Sequence, residues 1–400
     1  MAAADTLASA LAQLDAQFVD GDLKKLRNTM KKIEAAHGDA PALQVAKARV
    51  QAAEGDLDGA VKALSALSQQ AEVRDLASGY LGAIHVAQGR YIEALPLLQK
   101  SLNSGVDDAG LHHALGVALG SQARHDEALP HLATAAEHLP TSSPTFFYLG
   151  VSLAERGRWN EAADAFARSA KLDARYVDAF EALARVEIER GQVDQALKVL
   201  DEGLRHNPEA VALVRLRMQV HADHGQPEQA LKALKAIPAA QRDVEDLCNL
   251  TLLSLHLDKS AEALKHAEVA VKRGADQARA HYALGLALEA QQPLDRARVI
   301  AAYRQSITLG DPGGEAGTRL GFMLLEEAPG ASVAEAVKVL EAASTRNQGH
   351  PGTLLNLALA QAKAGHADRA KPLCQQILKD PRSSPNLRDQ AQRLMQSLGR

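Results

Sequence analysis

The sequence predicts an all-α stack of repeated helical hairpins, and three observations predict it. Ala and Leu, both strong helix formers, dominate the composition, while runs of β-branched residues are scarce. Small residues flanked by apolar ones recur with a step of 34, at Gly82, Gly116, Gly150 and Ala184. In the clearest step, two apolar stripes with i, i+4, i+7 spacing are separated by a glycine. A fixed period of this size marks a repeat architecture, in which each unit buries its open faces against its neighbours.

The register extends in both directions. Backward, the same step lands on Ala48 and Leu14; forward, it lands on Met218. A second series runs Ala60, Ala94, Ala128, Ala162, Ala196, Ala230, and a third runs Gly21, Gly55, Gly89, Gly157, Gly191, Gly225, with Ala123 filling the missing place. The most regular unit is Pro144 to Ala174. Phe146, Gly150 and Leu153 share one face of a first helix, and Ala162, Phe166 and Ser169 share one face of a second. Gly150 and Ala162 are small enough to let the two helices approach closely where they cross. Gly157 stands where a left-handed residue can end the first helix. Pro140 and Pro208 fall at unit ends.

After Ala230 the phase drifts. Ala263 follows 33 residues later, and the unit of Leu284-Gly285 carries roughly two extra residues around Gln291–Asp295 against the regular period. The unit of Leu320-Gly321 has a longer loop at Glu327–Ser332, and Leu357-Ala358, Gly365, Ala370 and Pro381 return to the regular form. Ile237-Pro238 cuts one second helix short, which is either a tolerated loop variation or an irregular junction over 237–262. The organisation read from the sequence is an N-terminal extension at 1–6, an array of about eleven repeats over 7–384, and a C-terminal capping helix at 385–400 that shields the last apolar face.

The run Phe146, Leu149-Gly150, Leu153, Ala162, Phe166 resembles the tetratricopeptide pattern W-x2-L-G-x2-Y…A-x3-F…P. Leu115-Gly116, Leu119, Ala128, Leu132, Pro140 resemble it as well, as do Phe180, Leu183-Ala184, Ala196, Leu200, Pro208. The resemblance covers nearly the whole chain. It implies a right-handed superhelical solenoid of antiparallel hairpins whose first helices line an inner, concave surface. It also implies a non-catalytic scaffold or adaptor that binds a protein or peptide partner. The groove positions it implies are Tyr80, His113, Phe147, Tyr148, Val151, Glu181, Arg185, Arg215 and Gln219, with Tyr282, Arg319 and Phe322 further along. Aromatic residues are only 3% of the chain, so an aromatic group beside Glu181, Arg185 and Arg215 has the composition of an interaction hot spot. The competing reading is that Tyr148 fills the gap to a neighbouring hairpin and Phe147 is half-exposed packing. Some members of the family hold a chaperone's C-terminal carboxylate in a clamp of Lys and Asn. Here Asn249 and Asn356 stand in suitable places without basic partners in neighbouring units, which disfavours that role.

Other classes find little support. The formal net charge is -4 and Lys24-Lys25 and Lys31-Lys32 are short pairs on a solvated face, so no nucleic-acid partner is expected. There is no GxGxxG after a strand, no Walker loop, no HExxH and no GxSxG, so neither catalytic nor cofactor residues are expected. His221 and His224 flank Asp223 and could touch a metal, but a solvated helix end is the expected reading. Cys248 and Cys374 form no CxxC and read as structural thiols. No basic n-region with an apolar core and no apolar run of about 18 residues is present, which points to the cytoplasm and to no membrane insertion. Ala-rich, degenerate repeats suggest a bacterial source. The readings that compete with an adaptor are an envelope assembly protein for pili or exopolysaccharide, a self-associating rod, and the repeat arm of a glycosyl- or sulfotransferase. The regular pattern up to Pro381 leaves no room for a catalytic domain in the last of these.

Overall fold

The computed structural model describes residues 7, 9–14, 17, 18, 22–311, 313–326 and 331–399. The expected extension at 1–6, Gly21, and residues 327–330 of the expected longer loop lie outside the described residues. Among the described residues every regular element is an α-helix. The chain divides into two compact units, Met1–Leu216 and Arg217–Arg400.

In the first unit, α1 (Leu23–His37) is followed by α2 (Pro41–Ala53) with α3 (Leu57–Leu67), α4 (Arg74–Ala87) with α5 (Tyr91–Asn103), and α6 (Ala109–Ser121) with α7 (His125–His138). Two further hairpins are α8 (Ser143–Glu155) with α9 (Trp159–Leu172) and α10 (Val177–Glu189) with α11 (Val193–His206). The division between the units falls within α12 (Val211–Asp223). The second unit continues with the nine-residue α13 (Pro227–Lys235), then α14 (Val244–His256) with α15 (Ser260–Arg273) and α16 (Ala278–Glu289) with α17 (Arg296–Thr308). Next come α18 (Glu315–Leu325) with α19 (Ala331–Arg346) and α20 (Pro351–Lys363) with α21 (Ala367–Lys379). The last helix, α22 (Pro385–Ser397), packs on α20 and α21.

The periodic residues do what their size dictates. A Cβ at Gly82 would lie 2.8 Å from Leu98 Cγ, and one at Gly150 would lie 2.7 Å from the Phe166 ring, so only glycine lets these helix pairs cross at this distance. Ala60, Ala94, Ala128, Ala162 and Ala196 are completely buried on the facing helices. Between paired helices the chain turns through a left-handed residue. This is Gly157 at φ 69° in α8–α9, while in α6–α7 Ala123 takes the same conformation at φ 58° without the freedom of glycine. The one-residue phase shift carries that role to Asp258, at φ 56°.

Side chains finish the helix ends. The Asp108 carboxylate accepts the Leu111 N–H at 2.9 Å to start α6, and Asp243 and Asp246 form a reciprocal capping box on α14. The first unit's core centres on Leu64, Leu98, Leu111 and Leu132, and the second's on Tyr303, Leu320, Leu324 and Leu340. Ala391 of α22 is buried against Leu354, Cys374 and Ile377.

Ion pairs differ between the units. In the first, the same three-residue pair recurs at the start of successive second helices: Arg90–Glu93, Arg124–Glu127 at 2.7 Å and Arg158–Glu161 at 2.5 Å. Arg156–Asp126, at 2.8 Å, reaches between hairpins. In the second unit most pairs do so: Arg298–Glu268 at 3.2 Å, Arg296–Glu326 at 2.9 Å, Arg304–Glu335 at 2.8 Å and Arg319–Glu289 at 3.1 Å.

Candidate functional site

In the first unit, the aromatic residues of α8 face three different neighbours. Successive residues on a helix point about 100° apart, so Phe146, Phe147 and Tyr148 cannot share one stripe, and all three are half-buried. Phe146 lies beneath the Arg168 guanidinium of α9, 4.8 Å from the ring centroid, and Arg168 Nη2 also donates to the Pro140 carbonyl at 3.2 Å. Phe147 packs on Phe166 of its own second helix, with centroids 5.7 Å apart, and on Tyr176 at the entry to α10, at 5.0 Å. Tyr148 meets His113 of the preceding hairpin edge-on at 5.8 Å. Burial raises the Tyr148 hydroxyl's pKa, helped by the nearby Tyr91 and Asp178. The His113 Nδ1 is 3.1 Å from Thr145 Oγ1, and burial pushes its imidazole down to about 4.

The other expected residues are less closely grouped. Tyr80 is buried; its hydroxyl donates to Asp108 Oδ2 at 2.6 Å, and the Arg49 guanidinium covers its ring at 4.0 Å. Arg185 is exposed and paired with Glu181 one turn earlier, at 2.7 Å. Val151 and Arg215 are half-buried, Arg215 with a bonding partner, and Gln219 is exposed and belongs to the second unit. The structure thus joins His113, Phe147 and Tyr148 in one chain of rings that links successive hairpins, and it joins Glu181 to Arg185. Tyr80 is part of a separate contact with the start of α6.

From α14 onward, one register column of the second unit is apolar throughout. The residue just after the small crossing position is Leu252 in α14, Leu286 in α16, Phe322 in α18 and Leu359 in α20. Leu252 is 36% exposed and Phe322 is 42% exposed, while Leu286 and Leu359 are half-buried, so the four form a partly open apolar column. The same position in the first unit carries Ala83, Val117, Val151 and Arg185. Beside Leu252 opens a cavity of about 520 Å³, walled by Cys248, Arg279, Tyr282, Asp311 and Glu315 among others.

The polar groups of that cavity are largely matched. Arg279 pairs with Glu245 at 2.7 Å, and its Nη2 donates to Asn249 Oδ1 at 3.0 Å. This corrects the expectation that Asn249 lacks a basic neighbour, because the long Arg279 side chain reaches it from the next hairpin. With Glu245 attached, that guanidinium is not a bare cation for a carboxylate. Arg319 pairs with Glu289 at 3.1 Å and bonds the Tyr282 hydroxyl. The Cys248 thiol is fully buried, and burial pushes it up to about 11, so it stays neutral at ordinary pH.

His221 Nδ1 lies 2.7 Å from Gln226 Oε1, and His224 Nδ1 lies 2.8 Å from the Val220 carbonyl. Among the described residues no group of three His, Cys, Asp or Glu side chains is placed to hold a metal ion. No helix of the described residues is long and apolar enough to cross a membrane.

Sequence reasoning passed over Leu252 and Glu315, and it read Cys248 only as a structural thiol. The signal was available in one register column. After the crossing residue, the side chain is Ala, Val, Val and Arg along α4 to α10 and Gln219 in α12, then changes to Leu, Leu, Phe and Leu from α14 onward.

Stacked hairpins with an unpartnered face on their first helices define a helical-repeat scaffold of the kind that carries protein–protein interactions. The chain belongs to the tetratricopeptide repeat family: one tetratricopeptide repeat model matches residues 45–109, 113–176 and 255–312, and another matches 153–219, together more than half of the chain. Members of this family generally act as non-catalytic interaction scaffolds. Among solved structures, yeast Tom70 is similar at 14% identity over 99% of this chain and 96% of its own, with a TM-score of 0.44. A tetratricopeptide repeat protein from Parabacteroides merdae is similar at 16% identity over 62% of this chain and 98% of its own, TM-score 0.41. YrrB, a tetratricopeptide repeat protein with an unusual peptide-binding site, is similar at 22% identity over 49% of this chain and 97% of its own, TM-score 0.39. No curated protein sequence matches the chain.

Proposed function

We propose that the protein is a non-catalytic scaffold that holds a segment of a protein partner on the first-helix faces of its hairpins. The second unit supplies the apolar anchor. The observation that carries this reading is the exposure of Leu252 on the wall of an open cavity, with Phe322 also exposed further along the same register column. Large apolar side chains left in water on one register column, next to a recess of side-chain size, are what a partner's apolar residues would cover. In the first unit the same face offers Tyr148, Val151 and the Glu181–Arg185 pair. Its larger rings are occupied with one another, which leaves less apolar area to cover there.

The test is selection from a displayed library of randomised peptides on the immobilised full chain, repeated on a Leu252→Ser/Phe322→Ser variant. Families of peptides enriched on the native chain and absent on the variant are expected. Enrichment that survives the double substitution would place the binding surface elsewhere. No enrichment on the native chain would remove the peptide-scaffold reading itself.

A further inference from the structure

The partner-binding reading leaves open what kind of residue enters the cavity beside Leu252, and the cavity's charges answer that. Two cations line or border it, and both are neutralised: Arg279 by Glu245 at 2.7 Å and Arg319 by Glu289 at 3.1 Å. Two carboxylates lining it are not balanced by a cation. Glu315 is exposed at the first position of α18 and has no ion pair or hydrogen bond among the described residues. Asp311 is only 4% exposed, and its Oδ2 accepts the Gly317 N–H at 3.0 Å. Both carboxylates act on the same point: burial raises the Tyr282 hydroxyl, Arg319 opposes this, and Glu315 and Asp311 add to it.

The remaining wall is apolar, made of Leu252, Ala278, Ala283 and the Tyr282 ring. One further group is unmatched: the Cys248 S–H, fully buried on the cavity wall, has no acceptor among the described residues. An apolar sleeve that ends at two carboxylates fits a side chain with a long aliphatic stem and a positive tip. A bare apolar residue would leave Asp311 shut away from water with only the Gly317 N–H to meet its charge, and an acidic residue would be repelled.

We propose that this cavity receives a Lys or Arg side chain from the partner segment, with the stem along Leu252 and Tyr282 and the cation meeting Glu315 and Asp311. The inference rests on the partner-binding reading and deepens it. Leu286 and Phe322, further along the same column as Leu252, take apolar residues of the same segment, so the recognised sequence pairs a basic residue with nearby aliphatic or aromatic ones.

The same peptide selection on the full chain tests it, followed by fluorescence anisotropy on one enriched peptide. Enriched peptides are expected to share a Lys or Arg flanked by apolar residues. Replacing that residue by Met in the peptide, or Glu315→Gln in the chain, should each weaken binding by about tenfold, the range of a charge-assisted hydrogen bond. The two changes together should cost little more than either alone. Glu315→Lys should lose these peptides outright. Glu315 is a surface residue, and unchanged circular dichroism of its variants is the control for folding. Enriched peptides without a basic residue, or an affinity indifferent to Glu315→Gln, overturn the cation assignment while leaving the scaffold reading intact, provided that binding still needs Leu252 and Phe322. No enriched peptide at all overturns both.

Discussion

Adding one methyl group at Gly150 is expected to destabilise the protein, although the same change at Gly120 is expected to stabilise it. Both glycines lie within α-helices, where Gly→Ala favours the helix by about 0.5–1 kcal/mol. At Gly120 the new carbon would lie 3.6 Å from Ser152 Oγ and 3.9 Å from His125 Nδ1, which are ordinary contacts, so the helical gain stands. At Gly150 it would lie 2.7 Å from two carbons of the Phe166 ring and 3.0 Å from a third. Phe166 is 2% exposed and carries Phe147 on its other contacts, so it has nowhere to swing. Overpacking of this kind costs about 1–3 kcal/mol, which leaves Gly150→Ala roughly 1–2 kcal/mol less stable than the native chain.

The assay is urea unfolding followed by helical circular dichroism, with amide hydrogen exchange in α8 as a local readout, because repeat arrays open in parts. The midpoints should move in opposite directions, by roughly 0.5–1 M for Gly150→Ala at ordinary denaturant slopes. Adding Phe166→Leu to Gly150→Ala should recover part of the loss. If Gly150→Ala proved as stable as Gly120→Ala, the close helix crossing inferred from the glycine column would be wrong.

Three more expectations concern the site surfaces. His113 has a folded pKa near 4 against an ordinary value near 6.5, so the unfolded chain takes up a proton that the fold refuses. Stability should be level above about pH 7 and fall as the pH drops from about 6.5 to about 4, by up to ~3 kcal/mol, and His113→Gln should flatten urea midpoints over the upper part of that window. Phe147→Ala should lower stability by about 2 kcal/mol, because it strips Phe166 and Tyr176 of their partner. Phe322→Ala should cost less, about 1 kcal/mol, since 42% of its surface is already in water. Comparing the two thermal midpoints separates a packing aromatic from a surface one. Ellman's reagent at neutral pH should label neither Cys248 nor Cys374 in the folded chain, and both after denaturation, because both thiols are buried and raised in pKa.

What could be read from the sequence followed from residue size at fixed spacing. Gly82, Gly116 and Gly150 announced the helix crossings because only a missing Cβ satisfies them, and Gly157 announced a left-handed turn for the same reason. Ala123 was legible too, as the member out of type in its series. The Arg185–Glu181 contact was readable from its four-residue step.

The direction of Phe147 was not readable. A half-exposed residue on a first helix can turn toward its own second helix, the next hairpin or solvent, and the period is silent between them. Here the Phe166 and Tyr176 rings decide. The Arg279–Asn249 bond was hidden for a different reason: it joins residues 30 positions apart, and the reach of an arginine side chain leaves no periodic trace. The cavity beside Leu252 depends on both kinds of information, an exposed register column and charges that cancel across hairpins, and only the first is written in the spacing.

The two kinds of ion pair have a consequence for how such a chain can change over generations. A hairpin duplicated or lost from the middle of the first unit takes its Arg124–Glu127 or Arg158–Glu161 pair with it whole, although Arg156–Asp126, and nearer the N-terminus Arg27–Glu54 and Lys47–Glu34, do cross between hairpins. The same event in the second unit would part Arg298 from Glu268 or Arg304 from Glu335 and leave unlike neighbours facing each other. The middle of the first unit can therefore grow or shrink by whole repeats with little electrostatic penalty. The second carries, in its cross-hairpin charges, a memory of the order in which its repeats must follow.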